Sequence, residues 1–436
     1  MGVIMYQLIS PLLRGLTFDG QAGKIVHFED DVARIGFSKK PENRNKVIAG
    51  LSFSGKTEIC GCTPLYIEAG SDEEIIEEVT AKVESYLQDY RCEPKIVILE
   101  DRGVFTLGAS YDEAYAVMEG ATKPADAPTP GSPAAGPSGA AESKAAPGPS
   151  VPPGREKETR GDTARSRDDV VRGKISVVTG GAQGFGEALV RNLTAAGSLV
   201  FIADINLEGA ETLADELNEA AEKTVALPVE VNVTDEESVR AMIDEVVRKA
   251  GGIDLYISNA GVLKAGSVKE LSLKDFRFVT DVNYIGYFLG VKHASPVMAL
   301  QNRPSGAYFT DIIQINSKSG LKGSNKNSAY AGAKFGGIGL TQSFALELIE
   351  DNIKVNSICP GNFFDGPLWS DPKRGLFVQY LNTGKVPGAE TIEEVKKFYE
   401  SKVPMGRGCS GDDIIKTVYY LIEQNYETGQ AVPVTG

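Results

Sequence analysis

The sequence has no apolar run long enough to cross a membrane. A transmembrane helix needs about 20 consecutive apolar residues, and the apolar stretch at residues 1–13 is interrupted by Gln7, Ser10 and Pro11. That stretch also lacks the basic residues that begin a secretory signal peptide. We therefore expect no membrane partner and no secretion.

Cysteine and histidine are scarce, with 5 and 2 copies in 436 residues. An odd and sparse set of cysteines is unlike a disulfide framework and is typical of reduced thiols in the cytoplasm. Cys60 and Cys62 have the spacing of half a zinc site, but only Cys92 and His27 lie near enough in the sequence to complete it. We interpret both cysteines as small packed side chains and expect no metal site.

The chain also has fewer basic than acidic residues. The chain has 45 Lys and Arg against 59 Asp and Glu, which gives a formal net charge of −14. Such a surface repels a phosphodiester backbone unless the cations gather on one face. The composition therefore argues against a nucleic-acid partner.

Composition divides the chain into two folded parts. Residues 121–154 are mostly Ala, Pro, Gly or Ser, and residues 155–169 are a run of mixed charges, so neither stretch can build a core. We predict a small domain at residues 1–120, a flexible linker at 121–169 and a second domain at 170–436. A coil of this length leaves the docking of the two domains open.

In the second domain, short apolar segments alternate with helical patterns. This alternation predicts an α/β fold, a Rossmann-like doubly wound parallel sheet covered by helices on both faces. The predicted strands are 175–179, 199–204, 224–231, 255–259, 312–316 and 355–359, and the predicted helices are 187–196, 206–221, 235–249, 275–300 and 328–350.

The first domain has the pattern of a small α+β domain. Residues 50–57 satisfy the phosphate-binding P-loop pattern, but residues 58–66 contain Gly and Pro and do not open a helix, so we do not expect nucleotide hydrolysis. The predicted elements are helices at 72–90 and 111–118 and extended segments at 95–99 and 103–108.

A glycine-rich turn, TGGAQGFG at residues 179–186, directly follows the first strand of the second domain and opens its first helix. Glycines in such a turn permit the tight bend, a close approach of the backbone to a pyrophosphate and close packing of helix on strand. The negative pyrophosphate then lies at the positive end of the helix. The residues expected to bind the dinucleotide here are Gly180, Gln183, Gly184, Phe185 and Gly186.

Asp204 ends the second strand of this domain, some 20 residues after the glycine turn. A carboxylate at this place accepts hydrogen bonds from the ribose hydroxyls of the adenosine and repels a 2′-phosphate. No Lys or Arg lies within the turn or just after Asp204 to offset the repulsion. The sequence therefore predicts NAD rather than NADP.

Tyr330 and Lys334 are four residues apart in a helical pattern, so their side chains share one face. Ser317 ends a buried strand 13 residues before Tyr330, and a loop of that length can bring its hydroxyl beside the phenol. A phenol has a pKa near ~10, and Lys334 and a positive nicotinamide both favour the phenolate. Tyr330 could then act as general base or acid, with Ser317 orienting the substrate oxygen.

Asn283 lies in a long predicted helix. Two interpretations stay open for it. The amide could hold a water molecule that relays protons from Lys334, or it could cap or bend its helix.

Together these motifs resemble the short-chain dehydrogenase/reductase family over almost all of the second domain. The resemblance implies the roles given above, backbone contacts to the cofactor at residues 259–261 and 360–361, adenine contacts at residues 232–233 and assembly into a tetramer or dimer. The residues that carry it are the glycine turn, Asn259-Ala260-Gly261, Asn283, Ser317, Tyr330, Lys334 and Pro360-Gly361.

The sequence departs from the family pattern in three places. Asn232, followed by Val233, stands where an Asp commonly faces the adenine, and no Thr at residues 362–364 is available for the nicotinamide carboxamide. The chain also stops at Thr435-Gly436, from which we expect that a short C-terminal tail has been lost.

Within the family, residues 314–320, 328–343 and 402–409 resemble members that act on polyol phosphates. The resemblance implies interconversion of sorbitol 6-phosphate and fructose 6-phosphate with NAD as cofactor. Lys318 directly follows the catalytic serine, and it could converge on a phosphate with three other cations, although lysines in loops are usually only solvated. The other cations are Lys322, Lys326 and Arg407, and Asn362 is a further candidate for substrate contact.

Three alternatives remain. The substrate could be an unphosphorylated polyol or another sugar phosphate, or the protein could be a non-catalytic NAD-binding regulator, which an intact catalytic set argues against.

The first domain also resembles the closing segment of class II aldolase domains, at residues 94–99, 103–108 and 114. His27 alone, however, cannot assemble the metal site of those enzymes. We interpret the first domain as an aldolase-like remnant that serves in assembly or docking.

Overall fold

The computed structural model describes residues 5–30, 64–68, 74–100, 102–122, 167–373, 375–382 and 384–436. Cys60, Cys62, the P-loop-like segment at 50–57 and residues 123–166 of the predicted linker lie outside the described residues. None of the helices in these ranges is long and apolar enough to span a bilayer.

The first part of the chain contains a four-stranded sheet with strand order β1-β4-β3-β2. Strand β4 pairs antiparallel with β1 and β3, whereas β2 pairs parallel with β3. The sequence did not predict the first helix or the first strand. The elements are α1 Met5–Leu16, β1 Ile25–Glu29, β2 Leu65–Ile67, α2 Ile75–Tyr90, β3 Ile96–Leu99, β4 Gly103–Gly108 and α3 Tyr111–Thr122.

The second part is a seven-stranded sheet with strand order β11-β10-β9-β8-β5-β6-β7, and every neighbouring pair is parallel. This confirms the predicted Rossmann-like doubly wound fold. The strands are β5 Ile175–Thr179, β6 Leu199–Asp204, β7 Ala226–Glu230, β8 Leu255–Ser258, β9 Thr310–Ile315, β10 Ile353–Pro360 and β11 Ala431–Val434. The helices are α4 Gly184–Ala195, α5 Leu207–Ala221, α6 Glu236–Ala250, α7 Leu273–Thr280, α8 Gly286–Asn302, α9 Ser328–Leu348, α10 Pro367–Ser370, α11 Leu376–Asn382, α12 Ile392–Glu400 and α13 Gly411–Glu423.

The helix predicted over 275–300 is present but contains a π turn. Helices α7 and α8 are separated by a π-helical segment, Asp281–Ile285. A single π turn inserts one residue and shifts the helical phase at one place only, which the apolar pattern of a long helix does not reveal. The segment matters because Asn283 lies in it.

Helices α10 to α12 form a small region with its own apolar core. We call residues 364–408 the aromatic lobe. Its core packs against Leu263, which follows the carboxyl end of β8, so the lobe lies at the carboxyl edge of the sheet. The buried residues of this core are Phe364, Trp369, Leu376, Phe377, Val386 and Val395.

Helix α1 joins the two parts of the chain. It packs against α8 and α6 of the second domain, and its buried side chains belong to the same apolar core as theirs. A Cβ atom on Gly15 would lie 2.1 Å from the carbonyl oxygen of Gln301, so the two backbones are in close contact. Docking, which the linker left open, is thus fixed by packing. The shared core includes Tyr6, Ile9, Leu12 and Leu13 of α1.

Candidate active site

The carboxyl ends of the parallel strands place the predicted site residues along one edge of the sheet. Thr179 ends β5 before the glycine turn, Asp204 ends β6, and Pro360 ends β10. Asn259 follows β8 and Ser317 lies just beyond β9. This edge is where doubly wound sheets bind their ligands.

The glycine turn has a backbone that only glycine adopts readily. Gly180 has φ 62° and Gly184 has φ 63°, both in the left-handed region. A Cβ on Gly186 would lie 1.9 Å from the carbonyl oxygen of Gly180, so no side chain fits there. The exposed Gln183 precedes α4 as its N-cap, and the helix N-terminus faces the turn. The resulting cradle fits a pyrophosphate.

Asn259 and Thr179 tie the turn to β8. The Asn259 side-chain amide donates to the carbonyl oxygens of Thr179 and Gly180, at 2.9 and 3.0 Å. In return the Thr179 hydroxyl accepts the backbone N–H groups of Asn259 and Ala260, at 3.0 and 3.1 Å. The Asn259 side chain therefore positions the turn. Thr179 was not among the predicted site residues.

Asp204 is buried and is not a solvated carboxylate. Its Oδ2 accepts the backbone N–H of Ala182 in the glycine turn at 3.0 Å, and its Oδ1 accepts the N–H of Asn206 at 3.0 Å. Each oxygen keeps a lone pair for a further donor. The carboxylate is thus held rigidly beside the turn.

Asn232 and Val233 shape the loop after β7. The Asn232 Oδ1 accepts the backbone N–H and the hydroxyl of Thr234, at 3.1 and 2.8 Å. Val233 is buried, and a Cβ on Gly286 at the start of α8 would lie 3.0 Å from its side chain. Both residues fix the path of this loop.

Ser317, Tyr330 and Lys334 converge at the start of α9. The Ser317 hydroxyl lies against the phenol of Tyr330. Burial raises the pKa of that phenol, and the interaction with Ser317 partly offsets the increase. The Lys334 Nζ lies 5.6 Å from the centroid of the Tyr330 ring and donates to the carbonyl oxygen of Ile315 at 2.9 Å. A phenol, a hydroxyl and an amino group thus lie close together.

Burial changes the acidity of two further groups at this site. It lowers the pKa of Lys334 to about 8 and raises the pKa of the Cys359 thiol to about 11. A lysine that titrates near neutral pH can take part in proton exchange. The thiol stays protonated in that range.

Asn283 has one end of its side-chain amide hydrogen-bonded and the other end without a partner among the described residues. Its Nδ2 donates to the carbonyl oxygens of Val262 and Val279, each at 2.8 Å, which ties the π-helical segment to the loop after β8. Its buried Oδ1 has no hydrogen-bond partner. A Cβ on Gly261 would lie 2.9 Å from that oxygen and 3.9 Å from the Lys334 Nζ, so the bare glycine leaves space between them.

Asn316 is a positioning residue that the sequence analysis missed. Its Nδ2 donates to the carbonyl oxygen of Lys334 at 2.9 Å and to Gln314 Oε1 at 2.7 Å. Its Oδ1 accepts the backbone N–H of Ser317 at 2.8 Å. Asn316 therefore joins the serine loop to helix α9. The available signal was the pair of amides, Gln314 and Asn316, in the otherwise apolar predicted strand 312–316, because buried polar groups require partners.

The residues after β10 connect the glycine turn to the aromatic lobe. The Gly361 N–H donates to the carbonyl oxygen of Val434 at 2.8 Å. Phe363 stacks on Phe185 of the turn, with ring centroids 4.3 Å apart. A Cβ on Gly184 would lie 3.5 Å from Pro367 of α10. The start of the lobe therefore covers the turn.

The cations predicted to bind substrate differ in their surroundings. Lys318 and Lys322 have exposed side chains, and partial burial lowers the pKa of Lys318. The Arg407 guanidinium donates to both carboxylate oxygens of Asp413 at 2.6 and 2.9 Å, and its predicted contact with a phosphate stays a prediction. Lys326 lies in the loop before α9.

Asn362 lines a cavity whose other walls include Met405, Gly408, Thr435 and Gly436. Its backbone carbonyl accepts the N–H of Cys409 at 2.8 Å. The predicted contact of Asn362 with substrate stays a prediction.

His27 lies on β1, away from this edge of the dehydrogenase sheet. It is buried, and its Nε2 lies 3.1 Å from Glu29 Oε1. Within the described ranges there is no group of three or more His, Cys, Asp or Glu side chains placed to hold a metal ion.

Comparison with known proteins identifies the second domain. The sequence model of the family described as short chain dehydrogenase matches residues 174–369. Sorbitol-6-phosphate 2-dehydrogenase of Escherichia coli is 37% identical over 269 residues, which cover 60% of this chain and 97% of that protein. The chain belongs to the short-chain dehydrogenase family. It is an oxidoreductase that uses a nicotinamide dinucleotide, NAD or NADP.

Two solved structures of short-chain dehydrogenases resemble this one. The crystal structure of sorbitol-6-phosphate 2-dehydrogenase from Erwinia amylovora matches with a TM-score of 0.55 and 39% identity, over 60% of this chain and 98% of that one. A crystal structure of NAD⁺-bound xylitol dehydrogenase matches with a TM-score of 0.54 and 30% identity, over 61% and 99%.

Proposed function

We propose that this short-chain dehydrogenase interconverts a polyol phosphate and a ketose phosphate, namely sorbitol 6-phosphate and fructose 6-phosphate, with NAD. The observation that carries the proposal is the convergence of Ser317, Tyr330 and Lys334 beside the glycine turn. The similarity to two sorbitol-6-phosphate 2-dehydrogenases supports the substrate.

The roles of the side chains follow from their positions. NAD, when bound at the glycine turn, supplies the acceptor for a hydride. The Tyr330 phenolate accepts the hydroxyl proton of the alcohol, and in reduction the phenol returns it. Ser317 donates a hydrogen bond to the substrate oxygen, and the Lys334 ammonium favours the phenolate. The unpartnered Oδ1 of Asn283 holds a water molecule through which Lys334 exchanges protons with solvent.

The choice of NAD rests on Asp204. Its carboxylate is fixed at the end of β6 by two backbone N–H groups, and the residues after it, Ile205 and Asn206, are uncharged. A 2′-phosphate placed against this carboxylate would meet a like charge without a compensating cation. NAD carries two ribose hydroxyls at the same place.

An unphosphorylated polyol is the second candidate substrate. The similarity to xylitol dehydrogenase favours this candidate. The proposed roles of Ser317, Tyr330 and Lys334 do not require a phosphate on the substrate. The two candidates differ only in whether the far end of the substrate is anionic.

A comparison of phosphorylated and free ketoses separates these candidates. Full-length enzyme is mixed with NADH and either fructose 6-phosphate or fructose, and the loss of absorbance at 340 nm is followed. We expect kcat/KM for fructose 6-phosphate to exceed that for fructose by about 10- to 150-fold, since a charge-assisted phosphate contact contributes about 1.5–3 kcal/mol. Equal values of kcat/KM for the two ketoses would instead favour the unphosphorylated polyol as the substrate.

Lys318 offers a second test of the substrate because it directly follows Ser317. Lys318→Ala should raise KM for the phosphorylated substrate much more than for its free analogue, and Lys269→Ala, a change at another exposed lysine, should affect neither. Equal effects of Lys318→Ala on the two substrates would count against a phosphate contact at this residue.

We also propose that the enzyme is a cytoplasmic homo-oligomer. Several large apolar side chains between Leu273 and Leu346 are 36–83% exposed, in the same part of the chain as Asn283, Tyr330 and Lys334, and a covered face would make this part more rigid. Light scattering coupled to size exclusion gives the mass, and a monomer at micromolar concentration would contradict the proposal. The exposed residues are Leu273, Phe276, Phe278, Ile285, Phe288, Phe335 and Leu346.

A further inference from the structure

The serine loop, residues 317–320, is built onto the side chain of Asn316. The Ser317 N–H donates to Asn316 Oδ1 at 2.8 Å, and a Cβ atom on Gly320 would lie 2.4 Å from the same oxygen. The Ser317 hydroxyl accepts the N–H of Ser319 at 3.1 Å, so its own hydrogen is left to donate to the phenol or to a substrate oxygen. The direction of this hydroxyl therefore depends on a loop that rests on one buried amide.

The same amide also holds helix α9. Its Nδ2 donates to the main-chain carbonyl of Lys334 at 2.9 Å, in the second turn of the helix that carries Tyr330. The Lys334 ammonium in turn reaches back to the strand and donates to the Ile315 carbonyl at 2.9 Å. One side chain, that of Asn316, thus ties the serine loop and α9 to the end of β9.

Gln314 restricts the rotation of the Asn316 amide. Gln314 Oε1 accepts Asn316 Nδ2 at 2.7 Å, and it also accepts the hydroxyl of Ser357, on the neighbouring strand β10, at 3.2 Å. A Cβ atom on Gly337 of α9 would lie 2.5 Å from Gln314 Nε2, so the helix packs directly on this amide. All three polar side chains are buried. Because a buried donor or acceptor without a partner is costly, these hydrogen bonds favour one orientation of the Asn316 amide.

We propose that the Asn316 amide sets the position of the Ser317 hydroxyl relative to the Tyr330 phenol, and that it controls the rate of hydride transfer without touching the substrate. Asn316 is in this sense a positioning residue that acts through Ser317. A displacement of about 1 Å at a reacting group can lower a rate about a hundredfold. The inference rests on the proposed function for the role of Ser317, but it does not depend on which alcohol is oxidised.

A double-mutant cycle tests whether Asn316 acts through Ser317. Full-length wild type, Asn316→Ala, Ser317→Ala and the double variant are assayed for NADH production from sorbitol 6-phosphate at saturating NAD, and their kcat values are compared. We expect Asn316→Ala to lower kcat about 10–100-fold in the wild type. In Ser317→Ala the same change should cost less than about threefold, because residues that act as a unit are not additive. A residue that only stabilises the fold would cost the same factor in both backgrounds.

Asn302 is the matched control, since it is a buried asparagine at the opposite end of β9. Its Nδ2 donates to the Thr310 hydroxyl and to the Asp351 carbonyl, each at 2.9 Å. Asn302→Ala should lower the melting temperature, as Asn316→Ala does, but keep kcat close to that of the wild type. If Asn316→Ala does not fold, Asn316→Asp takes its place in the cycle with the same expectation. Aspartate keeps the size of the side chain and the acceptor for Ser317, but it loses the donor to the Lys334 carbonyl.

Equal factors for the Asn316 change in the two backgrounds would overturn the inference. A wild-type kcat in Asn316→Ala, or an equal loss of kcat in Asn302→Ala, would also overturn it.

The single variants separate this inference from the proposed function. If Ser317→Ala is slow but the two factors are equal, the proposed function stands and the inference alone is wrong. If Ser317→Ala keeps the kcat of the wild type, the proposed role of the serine is wrong and the inference falls with it. A wild type that oxidises sorbitol but not sorbitol 6-phosphate contradicts only the substrate, and the cycle is then measured with sorbitol.

Discussion

Arg14 of α1 forms a fully buried ion pair with Asp254, which directly precedes β8. Burial alone would raise the pKa of this carboxyl, but the charge of Arg14 is the largest of the effects that hold it below its usual value. Asp254 also accepts the backbone N–H of Ile175 at 2.6 Å and the amide of Gln301 at 2.9 Å. The first domain thus supplies the counter-charge for a carboxylate inside the dehydrogenase fold.

Removing the charge of Arg14 should destabilise the whole protein. Because Arg14→Met leaves Asp254 buried and without its cation, we expect the free energy of unfolding to fall by about 3–5 kcal/mol in urea denaturation. Arg172→Met is the control, since Arg172 pairs with Asp169 at the surface and such pairs contribute about 0–1 kcal/mol. Similar losses in the two variants would mean that Arg14 is not a structural link between the domains.

Asp204 should determine the choice between NAD and NADP. Asp204→Ala removes an acceptor for the ribose hydroxyls and the repulsion of a 2′-phosphate, so kcat/KM for NAD should fall about 10–100-fold while that for NADP rises or stays constant. Glu230 is the matched control because it pairs with Asp204 in the strand register at the end of β7. An unchanged NAD to NADP ratio in Asp204→Ala would contradict this role.

The pH dependence of alcohol oxidation should report the Tyr330 phenol. Burial raises the pKa of Tyr330, and the reaction needs the phenolate, so the rate of oxidation rises with pH and the rate of reduction falls. The ammonium of Lys334, whose pKa burial lowers to about 8, favours the phenolate below that pH. Lys334→Met should therefore slow oxidation more strongly below about pH 8, where the wild type carries the ammonium, than well above that pH. Equal slowing on both sides of pH 8 would exclude this electrostatic role.

Local sequence patterns were sufficient to predict the dehydrogenase sheet and most of the candidate site. Three features of the site each lie within a single strand, turn or helix, so a short stretch of sequence is enough to predict them. They are the glycine turn, Asp204 and the spacing of Tyr330 and Lys334. Strand β11 was missed because it is a short edge strand that contains Pro433.

Contacts between distant segments were not predictable in this way. Arg14 and Asp254 are 240 residues apart, and nothing in the pattern around either indicates the other. The aromatic lobe was likewise unpredicted, because its short helices lack a long apolar repeat.

The most direct measurement is the production of NADH, followed at 340 nm, from sorbitol 6-phosphate and NAD by the wild type and by Tyr330→Phe. We predict that the wild type produces NADH and that the variant is about 10²–10⁴-fold slower, because it has lost its general base. The melting temperature and the affinity for NAD should be unchanged. A variant that keeps activity close to that of the wild type would contradict the role of Tyr330, and a wild type inert on sorbitol 6-phosphate but active on other alcohols would contradict the substrate.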